Sequence, residues 1–171
     1  QAGHPVTKDF NGYQQEGWGP YQMTIHDGER WSAAKGYLHP ALSRPNLTCL
    51  TGARTSRIFI ENGKAVGVEY IDDKTQQKKV VHAGKEVLLC AGAVQSPHIL
   101  QLSGVGDPEE LARHGVPVVH ALKGVGQNLQ DHLDCTLSWE CPQPITIYSQ
   151  RKGIKTLFVG LNYLLFKQGI G

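Results

Sequence analysis

Two β-type runs meet at Asn62-Gly63, and that junction constrains the fold more than any other stretch of the chain. Both central residues of a type I′ turn need positive φ, which Asn and Gly tolerate. On either side, residues 54–61 and 65–71 carry the β-branched and apolar content of strands, with Val66, Val68 and Tyr70 on one face. Upstream, residues 47–51 read as a further β segment, and beyond a polar turn at 72–77, residues 79–83 read as another strand. The expectation is an antiparallel β-meander.

The pattern then changes. Residues 87–91 (Val-Leu-Leu-Cys-Ala) form a continuous apolar run, as expected of a strand buried on both faces. It passes through Gly92-Ala93 into a helix with Ser96 as cap and Pro97 at its first position, ended by Gly104. Asp107 caps a second helix, with Glu110 at capping-box spacing, and Gly115 closes it. Residues 116–122 read as a strand, 123–132 as a Gly-rich loop and 133–139 as β again. From 151 to 167, Ile154, Leu157, Phe158, Leu161, Leu164 and Leu165 recur at helical spacing. Residues 1–31 keep neither period and read as irregular; a short helix capped by Ser32 follows, expected to stop before Pro40. The class is α/β or α+β.

Composition narrows the function. The net charge is only +2 and shows no concentrated basic excess, which argues against a nucleic-acid partner. Glycine, at 20 of 171 residues, is well above the usual ~7% without a collagen-like period, as suits loops that handle a ligand. Four cysteines are too few for a disulfide scaffold; Cys49 and Cys90 lie in the apolar runs and read as small buried hydrophobes. With no signal peptide visible, a reducing, cytoplasmic compartment is expected, and Asn46-Leu47-Thr48 reads as a chance glycosylation match. The basic residues Arg151, Lys152 and Lys155 at the head of the last helix read as a solvated helix end, the alternative being peripheral contact with the inner membrane.

Two segments are dense in groups that handle ligands. The strand–Gly–helix junction at 87–103 lets a ligand approach the backbone and offers the helix's free N–H groups, which suit a phosphate or an electron-rich ring. The loop 124–132 (Gly-Val-Gly-Gln-Asn-Leu-Gln-Asp-His) adds directional donors and acceptors, although Asp131-His132 reads as a loop-stabilising pair. No Gly-x-Ser-x-Gly elbow occurs, no Cys-x-x-Cys or His-x-x-x-His pair points to a metal, and neither Gly104-Val105-Gly106 nor Gly124-Val125-Gly126 completes a dinucleotide fingerprint.

Taken in order, these blocks carry a resemblance. Gly92-Ala93-Val94-Gln95-Ser96-Pro97-His98-Ile99-Leu100, continuing to Ser103-Gly104-Val105-Gly106, resembles the second signature of the glucose–methanol–choline (GMC) flavoprotein oxidoreductases. Gln15-Glu16-Gly17-Trp18-Gly19, the Arg30 to Leu38 block, Arg44-Pro45-Asn46-Leu47, Ala65-Val66-Gly67-Val68-Glu69 and the 124–132 loop are similar to the choline dehydrogenase and alcohol dehydrogenase branch.

The resemblance implies part of an FAD-binding, Rossmann-like domain with an antiparallel β-meander, joined to part of a substrate domain. Residues 39–132 would be the FAD-binding portion, 1–38 an irregular segment on the substrate or cap side, and 133–171 the start of the substrate-binding domain. Thr55, with Arg54 and Ser56 beside it, would meet the adenine; Ala91, Gly92 and Ala93 would run along the dinucleotide; Asn128, Asp131 and His132 would sit near the domain interface on the cofactor side. The family's fingerprint and catalytic His match nothing here, so the chain reads as an internal fragment with no catalytic residue of its own. The implied parent oxidises choline or another primary alcohol to the aldehyde, with quinone or oxygen as acceptor. The alternative is a non-catalytic folded module without bound flavin. Trp18, Tyr21 and Trp31 read as packing aromatics that would also suit a quaternary ammonium.

Overall fold

The computed structural model describes residues 3–143, 146–147, 152–167 and 169. The architecture is mixed α/β with antiparallel sheets. It divides into two units, Cys49–Cys135 and Gln1–Thr48 with Thr136–Gly171.

In the first unit, Ala53–Glu61 (β3), Lys64–Asp72 (β4) and Lys78–His82 (β5) form an antiparallel sheet in that order. Strands Ile25–His26 (β1) and Glu29–Arg30 (β2) and helix His39–Ala41 (α1), earlier in the chain, belong to the other unit. Asn62 and Gly63 take φ of 51° and 75°, as a type I′ turn demands, and Glu61 pairs with Lys64 across them. Asp72 turns the chain into β5: its Oδ1 accepts the N–H groups of Lys74 and Thr75 at 3.0 and 3.1 Å, and Lys79 Nζ lies 2.6 Å from Oδ2. Alternation puts Val66, Val68 and Tyr70 on one face of β4, half-buried, while the deeper face carries Gly67 and Glu69.

Gly92–Leu102 (α2) packs on β3 through a buried hydroxyl. Ser103 Oγ accepts the Ile58 N–H at 2.8 Å and donates to the Ile99 carbonyl at 2.6 Å, joining residues 45 apart in the chain. Val105–Gly106 (β6) and His120–Ala121 (β7) then pair in parallel around Pro108–Arg113 (α3). Asp107 caps α3 by accepting the Glu109 N–H at 3.0 Å. Glu110 bonds His114 and Arg113 instead of reaching back, so the capping box is half made. Among the described residues, Ile58, Ile99, Val105, Leu111 and Val125 are the buried hydrophobic ones, and all lie in this unit.

In the second unit, Ile25–His26 (β1) and Glu29–Arg30 (β2) form a small hairpin whose turn residues Asp27 and Gly28 both have positive φ. That Asp-Gly signal was available in a segment predicted to be irregular. A π-helical turn over Ala34–Leu38 leads into His39–Ala41 (α1). Ser32 Oγ accepts the Lys35 N–H at 3.3 Å, as predicted of a cap. The helix does not stop before Pro40. The widened turn, closed by the His39 N–H on the Ala34 carbonyl, carries the chain through the proline, whose missing N–H falls near the helix end. Ile154–Phe166 (α4) forms where the apolar spacing predicts it; Arg151 lies outside the described residues. Glu29 receives Lys35 at 2.6 Å and Lys167 at 3.1 Å, tying the hairpin to the end of α4.

Several predicted strands are absent. Residues 47–51, 87–91 and 133–139 are extended or bent with no ladder, and 116–122 contributes only its two residues of β7. Apolar content permits a strand, but only a second segment alongside makes one. Leu88, expected to be buried, is 76% exposed, and Cys49 and Cys90, expected to be buried in the same runs, are free and exposed, as are Cys135 and Cys141. The helix predicted to start at Pro97 begins a turn earlier at Gly92, and Ser96 Oγ accepts the Ala91 N–H at 3.1 Å. Pro97 therefore sits inside the helix, close enough to its start to forgo about one intrahelical bond. No described helix is long and apolar enough to cross a membrane.

Candidate functional site

Helix α2 lies between two hollows of the Cys49–Cys135 unit. The first, about 470 Å³, is walled by Arg54, Thr55 and Ser56 of β3, Ile71 of β4, Ala91, and the Gln95, His98, Ile99 and Leu102 side of α2. The second, about 480 Å³, lies between Ala93, Val94, Ser96, Pro97 and Gln101 of α2 and the Gly124–Gln127 stretch. His98 borders both.

The sequence dictates this arrangement locally. β3 is an edge strand, so the outer backbone edge at Arg54, Thr55 and Ser56 has no strand partner among the described residues and can hydrogen-bond a planar heterocycle. Gly92 enters α2 at φ 83°, and no side chain caps the helix's first turn. The exposed N–H groups there are suited to an anion. On the loop side, Gln101 Nε2 donates to the Val125 carbonyl at 3.4 Å and holds the Gly-rich stretch against the helix. Arg54 adds positive charge at the rim of the first hollow, 3.7 Å from Asp73.

The structure thus brings Arg54, Thr55 and Ala91 around one hollow, puts Ala93 on the other, and leaves Gly92 at the junction. Asn128, Asp131 and His132 are exposed and line neither hollow. Asp131 Oδ1 accepts the His132 N–H at 2.8 Å, a local turn bond that leaves the imidazole out. Among the described residues, no group of three or more His, Cys, Asp or Glu side chains could hold a metal ion.

Two polar residues that shape the site were not predicted from the sequence. Ser103 is one, because its partners Ile58 and Ile99 are set by packing. The other is Glu69, whose carboxylate meets Ser56, the unpaired residue at a register shift in β3, at 2.7 Å. The Ser56 hydroxyl, helped by the Arg57 and Lys78 charges, holds the Glu69 carboxyl below the usual carboxylate range.

The first hollow thus sets the open edge of β3 against α2, and the second sets α2 against the Gly-rich stretch. A family model described as GMC oxidoreductase matches residues 1–134, most of the chain, and the chain belongs to that family. It is 51% identical over 164 residues to the mitochondrial choline dehydrogenase of Homo sapiens, covering 96% of this chain and 27% of that protein. It is 50% identical to the oxygen-dependent choline dehydrogenase of Cronobacter sakazakii, covering 100% of this chain and 31% of that one. Among solved structures, an FAD-dependent oxidoreductase from Chaetomium thermophilum matches at TM-score 0.71 and 29% identity, over 84% of this chain and 25% of that chain. A formate oxidase from Aspergillus oryzae matches equally well at 27% identity, over 85% of this chain and 25% of that one. The chain therefore spans under a third of the length of these relatives.

Proposed function

We propose that the chain is a section of an FAD-dependent oxidoreductase that oxidises a CH–OH donor, choline before other primary alcohols, to the aldehyde. The observation that carries this reading is identity near 50% along essentially the whole chain to choline dehydrogenases from a mammal and from bacteria. The geometry agrees with it. FAD needs a hydrogen-bonding edge for adenine and N–H donors for its pyrophosphate, and the two hollows flanking α2 supply both kinds of group.

In this reading Arg54 and Thr55 hold the adenine end, Thr55 through its backbone and Arg54 from the rim. Gly92 and Ala93 present main-chain donors along the dinucleotide, and Ala91, whose N–H is taken by Ser96, presents a small side chain. Asn128, Asp131 and His132 close the cofactor side of the loop where it leaves for the substrate domain. When bound, FAD supplies the hydride acceptor for the alcohol carbon. The base that takes the hydroxyl proton belongs to another part of the protein, and either oxygen or a quinone accepts the electrons. Residues 39–132 serve the cofactor, and 1–38 and 133–171 the substrate side.

A substrate and acceptor screen on the full-length protein tests this, with choline set against medium-chain alcohols and oxygen against a quinone analogue. Turnover with choline at the highest kcat/KM is expected. Inactivity with every primary alcohol under both acceptors would overturn the reading.

A further inference from the structure

A buried carboxylate holds the bulge on which the first hollow is built. Along the β3–β4 ladder Thr55 pairs with Tyr70 and Arg57 with Glu69, so Ser56 is an extra residue without a partner opposite. A bulge of this kind re-aims the residues around it, and here those residues are the Arg54, Thr55 and Ser56 wall. Ser56 Oγ donates to Glu69 Oε1 at 2.7 Å and lies 3.1 Å from the Glu69 carbonyl oxygen. Arg57 Nη2 stands 3.4 Å from Oε2 and Lys78 Nζ 3.6 Å from Oε1. The Glu69 side chain is 9% exposed and does not line the hollow.

Burying a carboxylate is a poor way to gain stability, since an apolar side chain of similar size commonly serves as well or better. What the carboxylate adds is geometry: an acceptor at one point for one hydroxyl, steadied by two cations. We propose that Glu69 is a positioning residue for the cofactor, fixing the bulge at Ser56 so that the β3 edge meets the adenine end of FAD. The inference rests on the function proposed above.

The test uses the full-length protein, stripped of flavin and titrated with FAD by fluorescence, with the melting temperature measured in parallel. Glu69→Ala is expected to weaken FAD binding about tenfold or more, the loss of a hydrogen bond to a charged group. The reduction rate of the FAD-saturated variant should change little. Glu69→Gln keeps an acceptor for Ser56 and should recover most of the affinity. Glu69→Asp keeps the charge but withdraws it from Ser56, and should not recover it. These two variants decide the matter if Glu69→Ala does not fold. Ile58→Val destabilises the same strand by packing alone and should leave FAD affinity near wild type. Undiminished affinity in Glu69→Asp, or an equal loss in Ile58→Val, would overturn the proposal. A wild-type protein that binds no FAD would overturn the functional reading along with it, whereas FAD binding insensitive to Glu69 would remove this inference alone.

Discussion

Ser103 and Asp72 do different work with similar chemistry. The Ser103 hydroxyl is buried and serves two main-chain groups on different elements. Replacing it by Ala strands the Ile58 N–H away from water, which costs about 1–3 kcal/mol. Ser103→Ala should therefore lower the unfolding midpoint of the full-length protein, while Ser103→Thr, which keeps the hydroxyl, should lower it less. Asp72 works in solvent. The Lys79 ammonium and the Thr75 and Lys74 amides hold its carboxyl at about 2, below its ordinary 3.8. A lowered pKa adds stability that is complete above the ordinary value and is lost as pH falls from 3.8 through about 2. Asp72→Asn should speed exchange of the Lys74 and Thr75 amides at neutral pH, and the difference from wild type should shrink across that acid window.

Among elements, the connections are the most demanding points. Gly63 and Gly104 both take positive φ, yet their surroundings differ. A Cβ at Gly63 would meet open space, whereas one at Gly104 would lie 2.5 Å from the Pro117 carbonyl oxygen and 2.7 Å from a Val119 methyl. Gly63→Ala should cost about 1–2 kcal/mol for the left-handed backbone. Gly104→Ala should cost clearly more, because the end of α2 must also move off the segment that holds Pro117 and Val119. Thermal midpoints of the two variants check the order.

The same contrast explains what was legible in the sequence. The β3–β4 hairpin, the Asp107 cap, the Gly104 and Gly115 stops and the α4 spacing are local demands, and the structure meets each one. Residues 47–51, 87–91 and 133–139 failed as strands because a ladder depends on a partner segment that composition does not reveal. Pro40 failed as a stop because a π-helical turn lets the helix run past it. At the candidate site, the small residues Ala91, Gly92 and Ala93 announced themselves by type. Glu69 and Ser103 did not, since their roles depend on a bulge and on a contact across 45 residues.

At the scale of the molecule, apolar surface is left open in both units. The six apolar residues that mark α4 are all exposed, and so is Leu88. These surfaces fit a chain that matches under a third of its relatives' length. Purified alone, the chain should carry no flavin absorbance after dialysis, because it supplies only some of the walls that would enclose the cofactor. Stoichiometric retained FAD would show those walls to be sufficient.

In the proposed function these residues belong to a flavoprotein that draws a hydride from choline. Anaerobic mixing of the full-length protein with choline tests it most directly, with the oxidised flavin band followed by absorbance. The band should be present at one flavin per chain and should bleach on mixing. A protein with no flavin band, or one whose band persists with choline and with every primary alcohol tried, would contradict it.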